Sequence, residues 1–358
     1  MGSGSQPPKH PLDVALSHCI NGEPDKSEEI LRTMPEDPRA LFNLGWHDMR
    51  HGLLNKGFEG MNIGRHMEVF GNKHLPGAIP RPDEDISGKH VMLKCEGGFG
   101  DEIINFRFAK NYRDRGAIVT VAAHSALVPL FAREGYTTAV LQAVENMGVY
   151  YDYWVPAMSA AYCLGMEYDD LDGSPYLTKP EVQKGDKFRV GLKWSGNPQF
   201  EHEQHRVFPH EQLFDAVKGH DIEYVSLQRD EGSEFRPDWV KKVHLHQWTD
   251  TVNEIAKCDL VITSCTSIAH CSAALGVETW IVVPIMPYYL WALPGDRSPW
   301  YDSVKLFRQE KYGEWDAPFN NIKAELNEVI SNANNENWVL GPSQKRTSEA
   351  GLGLRATC

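Results

Sequence analysis

Apolar residues recur along this chain in two registers. Over residues 11–71 they return every three to four positions, the spacing of amphipathic helices, with breaks at Gly22-Glu23-Pro24 and Pro35-Glu36-Asp37-Pro38. Residues 74–87 are rich in proline and predict a linker. Beyond them the pattern changes to short continuous apolar runs, as parallel strands covered on both faces require. Strands are predicted over 90–95 and 118–122, with helices over 102–113 and 126–133; residues 151–165 predict an aromatic segment and a short helix. The charged stretch 179–187 carries Pro180 and Gly185 and predicts a hinge. A second alternating series follows, with strands over 188–194, 222–228, 259–263 and 278–284. Helices fall over 209–218, 251–257 and 268–275, the last closed by Gly276. Proline-rich and aromatic loops then lead to a strand at 304–309 and a helix over 317–330. The alternation predicts two parallel α/β halves behind a helical region. The boundaries expected are a flexible leader (1–10), helices and linker (11–86), a first α/β domain (87–183), a second (184–331) and a mobile tail (332–358).

Composition narrows the class. Hydrophobic residues make up 41% and charged residues 24%, ordinary for a globular protein. No run approaches the roughly 20 apolar residues that span a bilayer, and no signal peptide is visible at the start. The net charge of −13 argues against a general nucleic-acid or membrane-surface binder. Seven cysteines occur without a C-x-x-C pair, so a reduced, cytoplasmic setting is expected.

Each half carries a loop of small residues at the carboxyl end of a strand, where open parallel sheets bind ligands. In the first, Glu96-Gly97-Gly98-Phe99-Gly100-Asp101-Glu102 lacks the third glycine of a dinucleotide fingerprint. Asp101 is either a general base in a cleft or an acidic residue stabilising the first turn of a helix. In the second, Thr266 and Ser267 open a helix, with His270 one turn further in. That pattern is a phosphate-binding corner or simply a capped helix. Lys193 and Arg206 are candidate cations for a diphosphate, or solvated surface charges. His202 with His205 and His244 with His246 lack the companions of a metal site, and Cys265 with His270 lacks the third group of a thiol nucleophile. The aromatic residues Tyr288, Tyr289, Trp291, Trp300 and Tyr301 either stack on a base or sugar or pack a long loop.

Residues 40–67, with Leu41, Leu44, Gly45, Gly52, Gly57 and Gly60, resemble one tetratricopeptide unit, too few for a solenoid and expected to pack on the next domain. A longer resemblance rests on GGFGDEIINFRF (97–108), YDYWVPAMSA (151–160), VGLKWSGNPQ (190–199) with RVFP (206–209), and VSLQ (225–228). It continues with DLVITSCTSIAHCSAALG (259–276) and SPWYDSVKLFRQ (298–309). In this order the set resembles glycosyltransferase family 9, the heptosyltransferase-like enzymes, preceded by tetratricopeptide-like helices. The resemblance implies the GT-B arrangement: two Rossmann-like parallel-sheet domains facing across a cleft. It implies inverting, metal-independent sugar transfer from a nucleotide-diphosphate sugar, with no further cofactor. Asp101 matches the base, and Gly98 and Gly100 belong to the acceptor-side loop. Lys193, Asn197, Arg206, Gln228, Cys265, Thr266, Ser267 and His270 match the donor side. Many members carry Asp where this chain has Cys265. The acceptor stays open among a glycan, a lipid-linked sugar, a protein and a modified nucleic acid. Two other readings remain: a non-catalytic binding module on a degenerate GT-B fold, and a nucleotide-sugar epimerase.

Overall fold

The computed structural model describes residues 10–64, 74–199, 203–229 and 232–333. The predicted tail from residue 334, all of the leader except His10, the end of the predicted helical stretch and His202 lie outside the described residues.

Four helices come first: α1 (Pro11–Ile20), α2 (Pro24–Leu31), α3 (Pro38–Arg50) and α4 (Leu54–Asn62). The first three begin on proline, whose fixed φ suits a first helical turn. Asp37 caps α3 by accepting the Arg39 N–H at 2.9 Å. α3 and α4 pack against each other through glycines.

The first α/β half comprises β1 (His90–Lys94), α5 (Phe99–Phe106), α6 (Phe108–Asp114), β2 (Ile118–Ala123) and α7 (Val128–Ala132). It continues with β3 (Thr137–Val140), α8 (Leu141–Met147), β4 (Tyr153–Pro156) and α9 (Ala160–Cys163). Its four strands run parallel in the order β3-β2-β1-β4. Two differences from the sequence reading stand out. The aromatic segment predicted from residue 151 contains a strand, β4, which pairs with β1. The helix predicted from Glu102 begins at Phe99, which places Asp101 in its first turn.

The second half comprises β5 (Arg189–Lys193), α10 (Glu203–Arg206), α11 (His210–Val217), β6 (Glu223–Ser226), β7 (Lys241–Lys242) and α12 (Trp248–Lys257). β8 (Leu260–Ser264), α13 (Ser267–Ala274), β9 (Glu278–Val283), β10 (Val304–Arg308) and α14 (Asp316–Ala333) complete it. The parallel strand order β10-β9-β8-β5-β6-β7 is that of a doubly wound sheet, with its switch point between β5 and β8.

One apolar cluster runs through both halves. It takes Val91, Ile103 and Phe106 from the first, Val261, Ile268 and Trp291 from the second, and Phe58 and Met61 from α4. Arg107, between α5 and α6, pins the junction. It is buried and donates to the carbonyls of Ile104 (3.0 Å) and Trp300 (2.6 Å), and its guanidinium lies 4.4 Å from the ring centre of Tyr301 and 4.6 Å from that of Tyr176. The α3–α4 hairpin touches both halves. Trp46 donates to the Pro287 carbonyl at 3.1 Å, and Tyr168 donates to the Met49 carbonyl at 3.3 Å. Tyr289, Trp291, Trp300 and Tyr301 are buried in this junction, so of their two sequence readings the packing one holds. No described helix is long and apolar enough to cross a membrane.

Candidate functional site

The switch point brings the carboxyl ends of β5 and β8 side by side, with Lys193 paired to Thr263. Lys193, the last residue of β5, is buried, which removes the surface-charge reading. After β8 the chain turns through Cys265 and Thr266 into α13. Thr266 is the cap residue of α13, but its side chain does not cap; its hydroxyl lies 3.4 Å from that of Thr263. The first backbone N–H groups of α13 thus lack a side-chain cap, leaving the helix end electrostatically positive. One turn in, His270 is buried, lies at 3.3 Å from the Tyr301 hydroxyl through Nδ1 and stacks on Trp291. Burial, then the charges of Arg107 and Arg206, push its imidazole down to about 3, so it is neutral at physiological pH.

α5 of the first half packs on α13. A methyl group on Gly100 would lie 3.3 Å from the His270 ring and 3.6 Å from the Ser267 Cα, so the two helix ends meet closely at this glycine. Gly97 bends the chain into α5 with φ +75°. Asp101 then closes the helix start, because its Oδ2 accepts the Gly98 N–H at 2.8 Å. The first-turn reading of Asp101 is therefore realised. The carboxylate is not used up by it, for Oδ1 accepts a hydrogen bond from the Tyr288 hydroxyl of the second half at 2.5 Å. Burial raises the Asp101 pKa, while the Tyr288 and Gly98 hydrogen bonds and the Arg206 charge oppose the rise.

Arg206 is held in place rather than free to move. It donates to the Cys265 carbonyl at 2.6 Å and forms an ion pair with Glu203, whose other oxygen accepts the Gly196 N–H at 3.0 Å. Cys265 is buried, accepts the Trp291 indole N–H at 3.0 Å, and has its thiol pKa raised by burial. Beside the β5 end, a cavity of about 240 Å³ is lined by Trp194, Ser195, Gly196, Glu203, Phe208 and Phe235, among others.

Asp101, Gly98 and Gly100 thus come together with Ser267, His270, Cys265 and Arg206. Two further matched residues hold backbone next to the β5 end. Asn197 is exposed and accepts the Gln199 N–H in a tight turn, and Gln228 is buried and accepts the N–H groups of Trp194 and Ser195. Sequence reasoning missed Glu203, Tyr288 as a partner of Asp101, and Trp291 as a donor to Cys265. Glu203 could have been found, since it stands three residues before Arg206 on a helical spacing. Among the described residues no group of three or more His, Cys, Asp and Glu side chains is placed to hold a metal.

No family model matches the sequence, and no curated protein matches it. Solved structures do. The glycosyl transferase family 9 protein from Veillonella parvula DSM 2008 aligns with a TM-score of 0.51, over 71% of this chain and 99% of its own, at 9% identity. The fold is GT-B. The iron-containing dodecameric glycosyltransferase TibC from enterotoxigenic E. coli H10407 aligns at 0.46 over 71% of this chain and 78% of its own, with 13% identity. E. coli ADP-heptose lps heptosyltransferase II aligns at 0.44 over 68% of this chain and 99% of its own, with 15% identity. At such identities the likeness is one of fold. In GT-B terms, Asp101 stands on the N-terminal half and faces the α13 end of the C-terminal half.

Proposed function

We propose that this chain is an inverting, metal-independent glycosyltransferase that moves a sugar from a nucleotide-diphosphate donor to an acceptor hydroxyl. One juxtaposition supports this above all: Gly100 of the first half lies against Ser267 and His270 of the second. An acid on one half therefore meets an anion-favouring helix end on the other, at the switch point of a doubly wound sheet. The acceptor hydroxyl gives its proton to Asp101, and its oxygen attacks the anomeric carbon as the bond to the diphosphate breaks. A single displacement inverts that carbon. The departing charge falls on the N–H groups that open α13, the hydroxyls of Thr266 and Ser267, and Arg206. The aromatic-lined cavity next to Glu203 offers room for the nucleoside. The acceptor is a glycan, a lipid-linked sugar, a protein or a modified nucleic acid, with the hydroxyl as the common requirement.

The test is a melting-temperature screen against UDP, GDP, ADP, CMP, dTDP and their sugar conjugates. One nucleotide raises the melting temperature by mass action. Thr266→Ala abolishes the rise. Asp101→Asn keeps it but loses transfer by about 10²-fold or more. A second reading, a binding module on the same fold, draws on the direct packing of α5 on α13 and on the Arg206–Glu203 pair. It gains if no nucleotide shifts the melting temperature, and falls if Asp101→Asn separates binding from transfer.

A further inference from the structure

Of the contacts around Asp101, one comes from the other half of the molecule. We infer that Tyr288 is a positioning residue for sugar transfer: its phenol, carried by the second half, fixes the Asp101 carboxylate for proton abstraction only while the two halves are closed on each other. The inference rests on the transferase reading, in which Asp101 is the base.

The carboxylate is gripped from two directions. Gly98, in the same loop, donates to Oδ2 at 2.8 Å, and Tyr288, 187 residues further along the chain, donates to Oδ1 at 2.5 Å. Each oxygen keeps a second lone pair, so the carboxylate still has capacity to receive an acceptor hydroxyl. Asp101 is only part-buried, which leaves it a route to substrate. If the halves part, the Gly98 bond travels with Asp101 and the Tyr288 bond breaks.

The segment that carries Tyr288 is itself anchored. The Pro287 carbonyl, one residue earlier, accepts the Trp46 indole N–H of α3 at 3.1 Å. The Ile285 N–H is held by the Gln309 side chain at 3.0 Å, just past β10. The helical region thereby sets where the phenol stands, a use for these helices that no peptide-binding groove is needed to supply.

Other groups act on the same carboxylate. Arg206 favours its ionised form, and Arg206 is itself paired with Glu203. Glu102 follows it in the chain, and Cys265 and Tyr289 feel its charge. Burial and then the Asp101 charge raise the Tyr288 pKa well above the ordinary value, so Tyr288 stays protonated. In the transfer step the acceptor's proton goes to Asp101, the new C–O bond forms at the acceptor oxygen, and the diphosphate leaves with its electron pair. Tyr288 neither gains nor loses a proton.

The experiment follows the Asp101 carboxyl carbon by ¹³C NMR as pH is varied in full-length protein labelled at aspartate, with Asp101→Asn assigning the signal. In Tyr288→Phe the midpoint moves up by about one pH unit or more, because a hydrogen bond to the ionised form is lost. Tyr289→Phe, next in the chain and not bonded to Asp101, leaves the midpoint in place and controls for general disturbance of the loop. Trp46→Phe moves it upward by less. With the nucleotide sugar identified by melting, Tyr288→Phe lowers turnover at least tenfold and shifts the acidic limb of the rate profile by the same amount as the NMR midpoint. The donor KM stays put. A midpoint that does not move in Tyr288→Phe overturns the inference, and so does a moved midpoint with undiminished turnover. Absence of transfer by the wild-type chain with every nucleotide sugar overturns the transferase reading and the inference together, while the NMR midpoints still report whether the contact exists.

Discussion

Glu102 shows how a buried acid beside the site writes itself into stability. Its two oxygens face the His124 N–H at 2.9 and 3.3 Å, and burial, with a further push from Asp101, raises its pKa to about 7. The unfolded chain releases that proton near 4.5. Between these values the folded chain binds the extra proton, so the contribution of Glu102 is fully present at low pH and is lost as pH rises toward 7. Glu102→Gln removes the loss. Chemical denaturation of the two proteins should coincide near pH 4, and at pH 8 the variant should be more stable by up to about 3 kcal/mol. His270 works in the other direction. Its pKa falls from 6.5 unfolded to about 3 folded, so its contribution is complete above 6.5 and is lost as pH falls. Replacing it with Gln should flatten the acid side of the stability curve while leaving the Glu102 slope in place.

Between elements, glycine governs distance. A methyl group on Gly60 would lie 2.8 Å from the Leu41 carbonyl oxygen, and one on Gly45 would lie 2.5 Å from that of Gly57. These are backbone atoms and cannot swing aside. Gly60→Ala should therefore cost about 1–3 kcal/mol in an unfolding experiment, by forcing α3 and α4 apart. Because this hairpin anchors Pro287, the same variant should also loosen the Tyr288 segment. How much of this was legible in the sequence depended on whether the cause was local. The run β8–α13–β9 was readable because Val261 and Ile262, the small residues of α13 and Gly276 each speak for their own stretch. β4 was not, since Tyr153 and Trp154 lead within two residues to Pro156, and β3 was not, since Thr137 to Val140 is short and nowhere fully buried. Asp101 was found as an acid after a glycine loop. Its partner was not, because nothing near Tyr288 in the chain announces a carboxylate that only tertiary folding delivers.

In the whole molecule the two sheets share one apolar cluster. The contacts of Arg107 cross the junction as well. Arg107→Met leaves the Ile104 and Trp300 carbonyls without their side-chain donor and removes three cation–π contacts, to Tyr176, Trp300 and Tyr301. It should lower stability by about 2–4 kcal/mol. Calorimetry should show one unfolding transition for the wild-type chain; two resolved transitions would mean that the sheets melt independently.

The connection between the halves also ends on a mechanical detail. Past α9, the crossing chain hangs two peptide N–H groups, those of Tyr176 and Leu177, on the Ala274 carbonyl at 3.0 Å each. Ala274 is the last residue of α13, the eight-residue helix whose other end meets Gly100. Eight residues make a rod of about 12 Å. A tug on the crossing chain is therefore delivered to one end of a stiff lever, and the far end of that lever moves the very amides on which an anion would rest.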